Sequence, residues 1–241
     1  YPLYIIYIYI YIYLNNIIYI LYNFYMLNIF VIYHRNVKPE KIFTNDYTEE
    51  YIKDNFTFYG VNELHEKNIE NNKNYNNVLE YNLPIYNPFL QKRGYMETSA
   101  YLHVYWNKLY KNLDYVGFCQ YDMTHDKKLP ELSDEKIIIE WTRRHIVSGN
   151  VWNNMMCPSV RNLQFLLDSY NEHFKTNYKK NDLNNLPLSL WQTNIYPLKI
   201  YKKLCGWLEK LCNEIYPWSI QPPWEEHWGV IGGFTERAIA I

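Results

Sequence analysis

A chain of 241 residues can bury one sizeable core. Its 24 basic and 25 acidic side chains leave a formal charge of −1, which gives no electrostatic footprint for nucleic acid and no acidic tail. The 27 tyrosines, alongside abundant Asn, Ile and Lys, follow the pattern of AT-rich coding DNA, so aromatic frequency alone marks no binding platform.

Residues 1–33 contain no Asp, Glu, Lys or Arg, and residues 4–13 alternate Tyr and Ile almost throughout. A membrane anchor is one reading of this leader, but Tyr favours the interface over the hydrocarbon centre and Asn15–Asn16 would lie mid-span. No basic n-region or small-residue cleavage site marks a signal peptide. The DNA repeat TATATA encodes Tyr-Ile, so residues 1–25 read instead as a non-native, β-prone leader. The first methionine is Met26, directly before a good strand, and no stable membrane span is expected.

From Met26 the elements alternate. "NIFVIY" (Asn28–Tyr33) is an apolar, β-branched run and predicts a buried strand ending at His34–Arg35. "NFTFYGV" (Asn55–Val61) predicts a second strand, and residues 62–80 read as a solvated helix or loop. "LPIYNPFLQKRG" (Leu83–Gly94) reads as an ordered loop, and Tyr95–Tyr110 has helix length without Gly or Pro. "YVGFCQY" (Tyr115–Tyr121) predicts a strand that stops at Asp122. Ser133, with Asp134 and Glu135 behind it, predicts a capped helix running to about Arg144. "HIVSGN" predicts a short strand into a turn. Helical spacing follows at Leu163, Leu166, Leu167, Tyr170 and Phe174, and again after Pro197 at Tyr201, Leu204, Leu208, Leu211 and Ile215. "FTERAIAI" reads as a helix start cut off by the chain's end. Buried strands alternating with helices predict one α/β domain, residues 26–241, with a mainly parallel or mixed sheet flanked by helices. The four cysteines match no disulfide or zinc spacing and read as buried thiols in a reducing, cytoplasmic setting.

In such sheets ligands bind beyond the carboxyl ends of the strands. That places His34–Arg35 and Asp122, with His125 and Asp126, at a candidate site. An aspartate ending a strand can hold a hard divalent cation that bridges phosphates; Asp122 capping a turn is the plainer alternative. Arg35 could meet a phosphate bidentately, or stand as a surface residue at a strand end. No Rossmann fingerprint, P-loop or nucleophile elbow occurs. "PPWEEHWG" sets Glu225, Glu226 and His227 between Trp224 and Trp228, which suits carbohydrate or simply packs a loop onto the core.

"NIFVIYHR", "GYMETSAYLHVYWNKL", "DYVGFCQYDM", "WLEKL" and "GGFTER" together resemble the DUF4422-type glycosyltransferases, over roughly residues 28–241. That family's pattern has a first strand ending in His-Lys, an "ELTAxYWxWKN" helix, "YIGLxHYRR", "WLFxIL" and a closing "GYxxERL". The resemblance implies a GT-A-like fold and transfer of a sugar from a nucleotide-sugar donor to a glycan or other hydroxyl acceptor. His34 and Arg35 match the His-Lys. Glu97, Tyr101 and Trp106 match the helix, Gln120–Tyr121–Asp122 match "HYR", and Glu236 and Arg237 match the closing "ER". Where the family shows two basic residues this chain has Asp122–Met123, which suggests a metal-assisted variant. The expected site is therefore a divalent ion, Mn²⁺ or Mg²⁺, on Asp122 with Asp126 or His227. His34, Arg35, Glu97, Gln120, Tyr121 and Arg237 would border the donor, and Glu236 or Glu225 would orient or deprotonate the acceptor. A non-catalytic glycan-binding protein of the same fold is the alternative.

Overall fold

In the computed structural model, residues 25–44, 46–63, 69, 74–92, 97–125, 129, 131–138, 146–147, 163–183, 188–189, 192–219 and 230–240 are described. Three strands form the centre: β1 (Leu27–Tyr33), β2 (Phe56–Gly60) and β4 (Tyr115–Gln120). Each is a continuous apolar run because both of its faces are covered. Phe30 and Ile32 of β1 join Tyr59, Val116 and Phe118 in one core, while Ile29, Val31 and Tyr33 join Phe56, Phe58 and Cys119 in the other.

The sheet has five strands in the order β3-β2-β1-β4-β7, with β3 at Asn76–Leu79 and β7 at Asn194–Pro197. The first four are parallel and β7 runs antiparallel to β4. The α/β expectation holds, with a mixed rather than purely parallel sheet. A separate two-stranded pair joins β5 (Ile146–Val147) to β6 (Leu188–Ser189). Among the described residues no helix is long and apolar enough to cross a membrane.

The short helices α1 (Pro39–Ile42) and α2 (Glu49–Asn55) cover one face. Thr48 caps α2 by accepting the amide hydrogen of Tyr51. After them come α3 (Pro88–Lys92) and α4 (Glu97–Trp106). The opposite face carries α4, α5 (Leu163–Phe174), α6 (Leu198–Ser219) and α7 (Val230–Ala240). The expected stripe on α6 is buried at Tyr201, Leu208, Leu211 and Ile215, and Cys205 and Cys212 lie beside it. Burial pushes both of those thiols upward, which makes them inert packing groups.

Three expectations about elements fail. Residues 62–80, read as a solvated helix or loop, hold strand β3 at Asn76–Leu79. Ser133 starts a turn, not a helix, and Ile138 is already extended, exchanging backbone hydrogen bonds with Ile195 at 2.9 Å each way. Pairing with the edge of the sheet overrides a local capping signal; residues 139–145 lie outside the described set. The loop expected at Leu83–Gly94 also holds the helix α3.

Gly117 of β4 lies opposite Ile29 of β1, and a Cβ there would come within 2.7 Å of Ile29 Cγ1 and 3.2 Å of Ile195 Cγ1. Gly117→Ala is therefore expected to destabilise the fold by about 1–3 kcal/mol through overpacking. Denaturant unfolding measures this, and an unchanged midpoint would mean that the layer has slack.

Candidate functional site

From β1 the chain turns outward to β2 on one side, then returns to place β4 on the other. The carboxyl ends of β1 and β4 thus border a topological switch point, where an open α/β sheet leaves a crevice. Backbone bonds hold the strand ends together there. Tyr121 N–H donates to Ile32 O at 3.0 Å, and Val61 N–H donates to Tyr33 O at 2.8 Å. Met123 N–H donates to Gln120 O at 3.2 Å, closing a tight turn with Asp122 exposed at its corner.

The crevice has a volume of about 200 Å³ and is lined by His34, Arg35, Glu97, Gln120, Tyr121 and Asp122 among others. All six are residues expected from the sequence, drawn from three separate stretches of chain. The His34 ring stands edge-on to Tyr121, 5.2 Å between centroids. Burial raises the Tyr121 hydroxyl above its ordinary value, and Asp122 and Glu97 add to this while Arg35 opposes it. Arg35 therefore projects its charge into the same small space as the two acids.

Glu97 opens α4, and its Oε1 accepts from Gln120 Nε2 at 3.0 Å. Burial pushes its carboxyl up to about 7; its own backbone N–H opposes this, and Glu236 and Asp122 reinforce it. Neither Glu236 nor Arg237 is among the described residues that line the crevice, but the Glu236 charge acts on Glu97 because α7 is anchored to α4 one residue earlier. The Thr98 hydroxyl donates to Thr235 Oγ1 at 2.8 Å, with both side chains buried, and Thr235 donates to Gly232 O at 3.1 Å. Glu236 is ion-paired with its neighbour Arg237. Gln192 lies under this junction with φ 49, in the left-handed region, and its carbonyl accepts from Tyr101 at 2.9 Å. A glutamine held there costs roughly 1 kcal/mol, an expense that tends to collect near functional sites.

Other expected residues are placed elsewhere. His125 does not join Asp122. The chain reverses after Gln120, so that the His125 backbone pairs with Ile42 and Thr44 and its ring stacks on Phe43 on the opposite face of the sheet. Trp106, at the far end of α4, donates Nε1 to Glu209 Oε1 at 3.0 Å and does not line the crevice. Asp126, Trp224, Glu225, Glu226, His227 and Trp228 lie outside the described residues. Among the described residues no group of three or more His, Cys, Asp or Glu is arranged to hold a metal ion.

Beside the apolar Ile32 and Val61, two polar residues line the crevice that the sequence reading does not include. Asn62 follows β2 with φ 67, and the rule that points to strand ends would have found it. Gln91 comes from α3, which the prolines and glycine around it disguised as loop.

No protein-family model matches the chain, and no curated protein matches it in sequence. Among solved structures, the fold is similar to that of the apo bifunctional glycosyltransferase WbbM, with a TM-score of 0.55 and 14% identity over 88% of this chain. The likeness is one of fold. It covers 41% of that protein, so this chain spans less than half the length of the structure it matches.

Proposed function

We propose that the chain is a glycosyltransferase domain, moving a sugar from a nucleotide-sugar donor to a hydroxyl of a glycan or other acceptor, assisted by Mn²⁺ or Mg²⁺. The observation that carries this reading is the crevice at the switch point, which gathers His34, Arg35, Glu97, Gln120, Tyr121 and Asp122 within a glycosyltransferase-like fold. The buried thiols Cys119, Cys205 and Cys212 suit action in the reducing cytoplasm.

The donor set suits a hard cation. Asp122 offers an exposed carboxylate at the crevice corner, and Mg²⁺-like ions take one or two carboxylates with water and substrate phosphates. Asp126 and His227 would complete the protein's share. When bound, such an ion would offset charge developing on the departing diphosphate. His34, Arg35 and Tyr121 border the nucleotide, and Arg35, always charged, attracts its phosphates. Arg237, ion-paired with Glu236 on α7, would border the donor from that helix. Glu236 or Glu225 orients the acceptor hydroxyl. Glu97, a carboxyl titrating near neutrality, is suited to accept that hydroxyl's proton, with Gln120 fixing its rotamer.

Asp122→Ala is expected to lower transfer about a hundredfold or more and to remove its metal dependence. The check is a nucleotide-sugar screen with and without Mn²⁺, read first as thermal shift and then as transfer. Full, metal-dependent transfer by the variant would overturn the assignment of Asp122. A folded sample that binds no nucleoside diphosphate would favour the non-catalytic glycan-binding reading.

A further inference from the structure

A second cavity, of about 450 Å³, opens between α3, the end of α4 and α6. Three aromatic side chains line it, Phe89, Trp106 and Tyr216, together with three hydrogen-bonding ones, Asn87, Glu209 and Asn213. Phe89 and Tyr216 pack at 4.6 Å between centroids. Trp106 is fixed on two sides: its Nε1 donates to Glu209 Oε1 at 3.0 Å, and the His103 ring meets it edge-on at 5.2 Å. An indole held this rigidly loses little entropy when a ligand stacks on it.

The lining selects among ligand classes. Among the described residues that line the cavity there is no Lys or Arg, so these offer nothing to offset a phosphate or carboxylate. A purely apolar ligand would cover Asn213, the Asn87 amide nitrogen and the second Glu209 carboxylate oxygen and strip them of water, at a cost in free energy. A neutral polyhydroxyl ligand satisfies both halves, with C–H faces on the rings and hydroxyls on the amide and carboxylate groups. We propose that this cavity is a carbohydrate-binding site, distinct from the crevice, that takes sugar units of an oligosaccharide.

Its placement relates it to the crevice. Helix α3 lines both, with Gln91 on the crevice and Phe89 and Leu90 on the cavity. Helix α4 spans them too, from Glu97 to Trp106, roughly 14 Å at the helical rise. Identifying the bound sugar as the body of the acceptor rests on the glycosyltransferase reading; the carbohydrate site itself does not.

The test uses the full chain and a panel of defined di- to hexasaccharides built from glucose, galactose, mannose and N-acetylglucosamine. Binding is measured by saturation-transfer NMR and calorimetry. At least one is expected to bind saturably and not to be displaced by nucleoside diphosphates. Trp106→Ala is expected to weaken that binding about tenfold or more. The exposed Asn213→Ala, which leaves the packing intact, is expected to weaken it several-fold. Binding is expected to persist in Asp122→Ala, which separates failure of this site from failure of the crevice. No saturable binding by any panel member would overturn the proposal. So would affinity unchanged in both cavity variants, or displacement by nucleoside diphosphates.

Discussion

Glu97→Gln is expected to stabilise the protein at about pH 8 and, on the proposed glycosyltransferase reading, to stop sugar transfer. In the fold the Glu97 titration is pushed up to about 7 from an ordinary 4.5, first by burial and then by Glu236 and Asp122. The folded chain therefore holds this proton more tightly than the unfolded chain does. Stability from the group is complete below the unfolded value, falls as pH rises through the window between the two, and is gone above the folded value. Holding the ionised form costs on the order of 3 kcal/mol, reduced here because the Glu97 side chain is only partly buried. The introduced amide carries no charge, and its oxygen can still accept from Gln120 Nε2. A gain on the order of 5 °C in unfolding temperature follows at about pH 8, shrinking toward zero near pH 5. Parallel melting curves for the two proteins across that range would show Glu97 to be an ordinary surface acid.

Why Glu97 could be picked out at all, and much of its surroundings could not, follows from the range over which sequence patterns act. Strands β1, β2 and β4 are covered on both faces, so each is a continuous apolar run that local composition reveals. Once they are placed, the residues just beyond β1 and β4 follow, and these supply His34, Arg35, Tyr121 and Asp122 of the crevice lining. Strand β3 was lost because it is a half-exposed edge strand opening with Asn76 and Asn77, which reads as solvated chain. Strand β7 is four residues long and ends in Pro197, a pattern that suits an edge and does not announce a strand.

Contacts distant in sequence leave no such trace. The hydrogen bond between Thr98 and Thr235 that sets Glu236 beside Glu97 spans 137 residues. Only the resemblance to a family, with its paired "ETSAY" and "FTER" segments, hinted that the two would meet. His125 was misjudged for the opposite reason. Its side-chain type fitted a metal site beside Asp122, but the turn at Gln120–Met123 carries it to the other face, among Phe43, Tyr47 and Phe56.

Glu80 shows how such long-range structure supports the crevice from behind. It is fully buried at the end of β3, and each of its oxygens is occupied. Oε1 accepts from Ser99 Oγ at 2.8 Å and lies 3.0 Å from His103 Nδ1, while Oε2 accepts from Gln91 Nε2 at 2.9 Å. The Asn87 amide donates to His103 Nε2 at 2.8 Å, so the network assigns the ring proton to Nδ1, facing Glu80 and Ser99 O. One carboxyl group thus links the end of β3, helix α3 and helix α4, and through Gln91 it holds a wall of the crevice. Glu80→Ala would deprive Ser99 Oγ and Gln91 Nε2 of their acceptor and leave His103 Nδ1–H with Ser99 O alone, and is expected to cost about 2–4 kcal/mol, lowering the unfolding temperature on the order of 10 °C. Glu80→Gln keeps the shape and one acceptor oxygen, and should lose roughly half as much. Because Gln91 loses its anchor when the carboxyl is removed, nucleoside diphosphate binding should weaken in the alanine variant even at temperatures where it is fully folded. An alanine variant that, while folded, binds nucleotide normally would confine Glu80 to the core and release Gln91 from any part in the site.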